Sequence, residues 1–259
     1  PLPILRLRRG QELRVRFRNR LPEETTVHWH GLAVPEAMDG HPKDTVPAGG
    51  ERLYSFPILA EAATYWFHPH PHMRTAFQVA QGLAGFLLVE DPVAEAGLPK
   101  GEQDLPLLIQ DRTLDAQNGN AYAPHMMGFL GDEVAVNGRP SSAPLPVAGA
   151  PYRLRLLNGS ITRTYKLAWE DGRPLRALAT DAGMLPQPLD RPYLMLAPGE
   201  RRDVLVDFGG LPPGAGLSLR SLPWNTGSGG GMNRPTRLPE GSAFAVARFR
   251  GQAARGVFL

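Results

Sequence analysis

The sequence predicts an all-β protein of two sandwich- or barrel-like domains, and three observations carry that reading. Gly and Pro number 29 and 27 among 259 residues while 42% of the chain is hydrophobic. That is a composition of many short apolar strands closed by turns, not of disorder or a helix bundle. Short apolar runs, several of them alternating with period two, recur at close spacing between turn clusters on both sides of residue 100, the pattern of half-buried strands. The length exceeds the roughly 150 residues of an average domain and approaches two.

The elements follow in order. Leu13, Val15 and Phe17 interleave with Arg14, Arg16 and Arg18, so 12–18 is a strand with one face in a core and one in water. Gly10-Gln11 is the turn joining it to a strand over 4–8. Further strands are expected over 26–30, 52–56, 64–67 and 85–89, separated by clusters such as Val46-Pro47-Ala48-Gly49-Gly50. Residues 76–84 offer at most a short helix. Residues 1–92 form the first domain, and 93–104, where the pattern lapses into Pro, Gly, Ala and charge, form a linker. The second domain, 105–250, carries strands over 105–110, 133–136, 152–157, 164–169, 175–179, 204–208, 217–222 and 244–249. Asn137-Gly138 and Asn158-Gly159 follow two of these as hairpin signals. Residues 224–241, rich in Gly, Asn, Pro and Thr, read as a mobile loop, and 251–259 as the start of a further linker.

Composition also excludes chemistry. Cysteine is absent, which removes disulfide scaffolds, thiolate zinc sites, iron–sulfur clusters and cysteine nucleophiles. The net charge of +3 is spread along the chain, with no basic patch for nucleic acid. No apolar run approaches a membrane span, and Pro1-Leu2-Pro3 lacks the regions of a signal peptide. Neither a G-x-S-x-G elbow nor a phosphate-cradling glycine loop occurs.

The seven histidines are unevenly placed. Two lie in Val27-His28-Trp29-His30-Gly31 and three in Trp66-Phe67-His68-Pro69-His70-Pro71-His72. On a strand, residues i and i+2 share a face, so His28 can point with His30, and His68 with His70, while Trp29 packs behind. Pro69 removes a ladder hydrogen bond, as at an edge or strand end. One His-x-His taken alone is more simply a surface or core pair; two of them, each flanked by Trp, make a four-imidazole metal cluster geometrically easy. Imidazole suits copper, zinc, iron and nickel, and the ligands could serve one ion or divide among several.

These motifs resemble those of the multicopper oxidases, the laccases and bacterial periplasmic cuprous oxidases among them. The resemblance is carried by Thr25-Thr26-Val27-His28-Trp29-His30-Gly31-Leu32, Val34-Pro35, Met38-Asp39-Gly40 and Tyr65 to His72, then by Gln81 to Gly85 and Val89-Glu90-Asp91. It continues through Leu105 to Asp111, Arg153 to Gly159 and Leu196 to Val206. It implies cupredoxin-like Greek-key β domains, the first two of three, and a copper cofactor. In that family a trinuclear cluster between the first and third domains reduces O2 to water, fed by a type 1 copper in the third. Carried over, His28 would bind the type 2 copper, His30 and His68 one type 3 copper, and His70 the other. His72 has no ligand counterpart and is expected near the site or in solvent. Asp39 matches an acid that helps supply protons, although an Asp-Gly turn explains it as well. A Cu(I) or phenolic donor, O2 as acceptor, and a periplasmic or secreted location are implied in the same way.

The chain departs from the family in lacking the His-Cys-His motif and the third domain that bears it; after Leu83 only His125 remains. The expectation is therefore two of three domains of a longer polypeptide, with a trimmed first barrel and a fragment that binds at most part of the copper and does not turn over by itself. Two other readings remain: a non-catalytic copper-binding cupredoxin protein, and a structural protein like the cupredoxin-fold cell-division relatives that have lost their copper ligands. The presence of all four ligand histidines argues against the latter.

Overall fold

The computed structural model describes residues 2–125, 128–227 and 236–253. Met126-Met127, the centre of the expected 224–241 loop and residues 254–259 lie outside the described residues. The chain divides into two units, Pro1–Gly97 with Thr180–Met184, and Leu98–Ala179 with Leu185–Leu259. Both are β structures.

The first unit contains β1 (Ile4–Arg8), β2 (Glu12–Arg18), β3 (His28–His30), β4 (Glu51–Pro57), β5 (Ala63–His68), a short helix α1 (Thr75–Ala80) and β6 (Gly85–Glu90). The sheet order is β1-β6-β5-β3, with β1 parallel to β6 and the other pairs antiparallel; β2 and β4 form a separate antiparallel ribbon. The alternation in β2 turns Leu13 inward, where it joins Trp29, Tyr54, Phe56, Tyr65, Leu87 and Val89 in one core. Trp29 is 1% exposed and meets Tyr54 and Phe56 edge-on, with ring centroids 5.6 and 5.5 Å away, which favours burial of this large ring by a few kcal/mol. The strand expected over 26–30 begins only at His28. Upstream, the Val27 N–H donates to Tyr54 Oη at 3.1 Å, a side-chain partner in place of a ladder.

Met73, fully exposed beyond β5, has φ 57°. The left-handed region costs a side chain about 1–2 kcal/mol, and nothing buried compensates here. Met73→Gly is expected to raise stability by about 0.5–1 kcal/mol, part of the relief being offset by the looser unfolded chain. The denaturant midpoint reads this directly; an unchanged or lower midpoint refutes it.

The second unit is two sheets. One runs β10-β9-β7-β12-β17-β14-β15, with β8 paired to β7; these are β7 (Asp104–Leu114), β8 (Asn120–Ala121), β9 (Glu133–Val136), β10 (Arg139–Pro140), β12 (Pro151–Asn158), β14 (Leu175–Thr180), β15 (Gly183–Arg191) and β17 (Arg201–Asp207). The other is β11-β19-β18-β13-β16, from β11 (Leu145–Ala148), β13 (Tyr165–Trp169), β16 (Leu194–Leu196), β18 (Gly216–Ser221) and β19 (Phe244–Gln252). Leu107, Leu154, Leu156, Leu167, Val204, Leu219 and Phe249 share its core. Asn137-Gly138 joins β9 to β10 with both residues at positive φ, the tight hairpin its sequence announces. Asn158-Gly159 does not make a hairpin. β12 and β13 lie in different sheets, and the buried Asn158 side chain instead donates to the Arg163 and Leu196 carbonyls at 2.8 and 2.9 Å while accepting from the Ser160 N–H. Local polarity there serves a buried junction, not a turn tip.

Candidate metal centre

The register of β3 against β5 builds the site. His28 lies opposite His68, Trp29 opposite Phe67, and His30 opposite Trp66. A slip of one residue would send every side chain to the other face, so the packing of Trp29 on Phe67, ring centroids 5.6 Å apart, fixes which face carries the histidines. His28, His30, Trp66 and His68 then share one face. Ligand atoms of His28, His30 and His68 lie within 4.8 Å of one another.

His70 stands beside that group, past the end of β5. Its ring centroid is 5.3 Å from that of His28 and 6.0 Å from that of His68. Its Nδ1 is buried without a hydrogen-bond partner, an orphan of the kind that asks for an explanation. The Trp66 ring covers the cluster, with centroids 4.3 Å from His68 and 4.9 Å from His30. His72 is exposed, and the exposed His125 belongs to the second unit.

Hydrogen bonds assign the tautomers. His68 Nδ1 is 2.9 Å from the Pro69 carbonyl, so it carries the proton and leaves the lone pair on Nε2. That lone pair accepts from His30 Nδ1 at 3.2 Å. His28 Nδ1 is 3.2 Å from the Asp39 carbonyl, which likewise leaves Nε2 free. Outer contacts of this kind fix ring orientation in metal sites.

Asp39 is held at the cluster by backbone packing. Trp29 Nε1 donates to the Met38 carbonyl at 3.0 Å, and Gly40, at φ 63°, brings its turn so close to Val27 that a Cβ would lie 2.1 Å from the Val27 oxygen. Asp39 Oδ1 consequently sits 3.0 Å from His28 Nδ1, buried and without a hydrogen bond of its own. On its other side Oδ2 is 4.0 Å from Nε2 of the partly exposed His41. Sequence reasoning did not single out Tyr54, which supports Val27, or His41. The Asp39-x-His41 spacing was a visible signal for the latter; for Tyr54 there was none.

Burial, foremost, and repulsion from His28, His30 and His70 hold the His68 imidazole down to about 3 from its ordinary 6.5, against the opposing hydrogen bond to Pro69. His68 is therefore neutral at physiological pH, the state a metal ligand needs. The unfolded chain takes up this proton below about 6.5 and the folded one only near 3, so the metal-free protein keeps the full contribution above the upper value. It should lose stability as pH falls, by up to about 1.4 kcal/mol per unit in between. Urea midpoints at pH 7 and pH 4 test this, and His68→Phe should flatten the slope; an equal slope in the variant contradicts the assignment.

The donor set is four imidazoles with one ligand nitrogen orphaned and one ring held neutral, a set that fits copper or zinc. Fold and cluster together define a cupredoxin-type protein with a histidine site on its first unit. The multicopper oxidase family model matches residues 1–94. The chain is 36% identical over 209 residues to the multicopper oxidase mco of Staphylococcus aureus, covering 80% of this chain and 46% of that protein. It is also 41% identical over 210 residues to the cell division protein FtsP of Escherichia coli (strain K12), covering 80% of this chain and 44% of FtsP. The crystal structure of the McoA multicopper oxidase from Aquifex aeolicus superposes with a TM-score of 0.85 at 35% identity, over 98% of this chain and 56% of that one. The chain is thus similar to multicopper oxidases along nearly its whole length. It spans about half the length of these relatives.

Proposed function

We propose that this chain is the part of a multicopper oxidase that contributes half of the histidines of a trinuclear copper cluster. The convergence of His28, His30, His68 and the orphaned His70 on one face supports this reading. His28 would hold the type 2 copper, His30 and His68 one type 3 copper, and His70 the other. Copper so held supplies one-electron redox chemistry that, pooled over adjacent ions, reduces O2 to water by four electrons drawn from Cu(I) or a phenolic donor.

This chain's residues do the rest. The Pro69 and Asp39 carbonyls orient the rings of His68 and His28, and Trp66 excludes water from one side of the cluster. Asp39 holds and releases protons at Oδ1, next to His28. The donor site, the type 1 copper and turnover belong to the whole protein, in which a third cupredoxin domain completes the cluster. We place that protein in the periplasm or outside the cell; among the described residues no helix is long and apolar enough to cross a membrane.

The identity to FtsP favours a second reading, a cupredoxin protein without turnover. Copper titration followed by oxygen-uptake measurements separates the two. The chain is expected to bind copper and His68→Ala to lose it, while the whole copper-loaded protein consumes O2 with Cu(I) or a phenol. Absence of oxygen uptake by the whole protein, with or without copper bound, supports the second reading; no copper binding overturns the first.

A further inference from the structure

The two His-x-His motifs lie on segments far apart in sequence, and a polar network absent from both motifs spans the gap between them. Gln78 on α1 is 1% exposed and uses both ends of its amide. Its Oε1 accepts from Thr25 Oγ1 at 2.6 Å, and its Nε2 donates to the Glu24 carbonyl and to Glu23 Oε1, both at 3.0 Å. The same Glu23 carboxylate pairs with Arg74 at 2.6 Å, and the Gln78 amide, foremost, with Arg74 holds it below the usual carboxylate range. Next in the chain, Thr26, 2% exposed, accepts from the His70 backbone N–H at 2.8 Å. The segment 23–26 that leads into His28 is thereby bonded to both 70–74 and α1.

β3 and β5 by themselves register only His28, His30 and His68; His70 lies past the last strand residue. Its backbone N–H is bonded to Thr26, whose neighbours Glu23, Glu24 and Thr25 are bonded to Gln78. Buried amides and hydroxyls in such a chain have no water to fall back on. We propose that Thr26 and Gln78 are positioning residues that set His70 against the other three imidazoles and so pre-form the four-histidine copper site. The inference rests on the copper reading above.

The test is Cu(I) competition against a chromophoric chelator and Cu(II) EPR on the parent chain and four variants, each checked for fold by circular dichroism. Thr26→Val keeps shape and removes the acceptor for the His70 N–H; it should weaken copper by about 10–100-fold, the usual effect of losing an outer contact, and alter the EPR hyperfine splitting. Thr26→Ser restores the oxygen and should bind within about twofold of the parent, which a packing role alone would not require. Gln78→Leu should behave as Thr26→Val, and if it loses the fold, the Thr26→Val and Thr26→Ser pair decides. His68→Ala is the control for the site itself. Parent-like affinity and spectra in Thr26→Val, with His68→Ala impaired, overturn the positioning inference and leave the copper site standing. A parent that binds no copper, or a His68→Ala variant that binds like it, overturns both.

Discussion

Asp203→Ala is expected to destabilise the second unit by about 3–5 kcal/mol. Arg153 Nε and Nη2 lie 2.9 and 2.5 Å from Asp203 Oδ2, and Arg155 Nη1 lies 3.5 Å from the same oxygen. Arg155 also reaches Asp104 Oδ1 at 2.6 Å. Both guanidiniums and the Asp203 carboxylate are 1% exposed. Such a group adds little over well-packed apolar residues, because desolvation offsets the attraction; removing one partner is different, since it strands charge that neither water nor another anion can reach. Alanine at 203 removes the carboxylate that Arg153 binds through Nε and Nη2, while Arg155 keeps Asp104. Asp203→Asn, which keeps the shape and a hydrogen-bond acceptor, should cost less. Denaturation followed by the fluorescence of Trp169, packed on Phe249 at 5.6 Å between centroids, measures the loss, and a shift below about 1 kcal/mol would contradict the account.

Gly40→Ala is the largest effect expected in the first unit, about 2–5 kcal/mol. Two costs combine there. At φ 63° any side chain is in the left-handed region, about 1–2 kcal/mol, and the new Cβ would sit 2.1 Å from the Val27 oxygen and 2.5 Å from its carbonyl carbon. Backbone cannot rotate away as a side-chain tip can, so the turn or the segment at Val27 must shift, at a further 1–3 kcal/mol or so. The displacement separates Asp39 from His28, so copper affinity should fall along with stability. Trp29 fluorescence against denaturant and chelator competition read the two effects. Full stability with an altered copper site would place the strain elsewhere than in this contact.

Much of the fold was legible because period two and turn chemistry are local. Leu13, Val15 and Phe17 point as their alternation requires, and Asn137-Gly138 turns where two positive φ values are needed. What failed depended on distant partners. Asn158-Gly159 has the same dipeptide, but its asparagine is held by the carbonyls of Arg163 and Leu196, the second 38 residues on. The strands Leu145–Ala148, Gly183–Arg191 and Leu194–Leu196 contain prolines or too few residues for any period, and pairing alone makes them strands. Alternation does not tell which face of the 152–157 strand is interior; carboxylates from Asp104 and Asp203 make the face of Arg153 and Arg155 a buried one.

By itself the sequence determined the residue chemistry of the site: four imidazoles in two His-x-His pairs, aromatic residues beside them, no thiolate, and an acid at Asp39. Side-chain alternation is a covalent property of an extended chain, so each pair had to share a face wherever strand continued. Tertiary structure decided which imidazoles meet. Register brings His28 against His68, Gly40 lets Asp39 reach them, and a buried glutamine outside both motifs bonds the residues just before Thr26, the acceptor of the His70 N–H. Those are long-range contacts, selected by packing and by the need to satisfy most buried polar groups, and no local pattern encodes them.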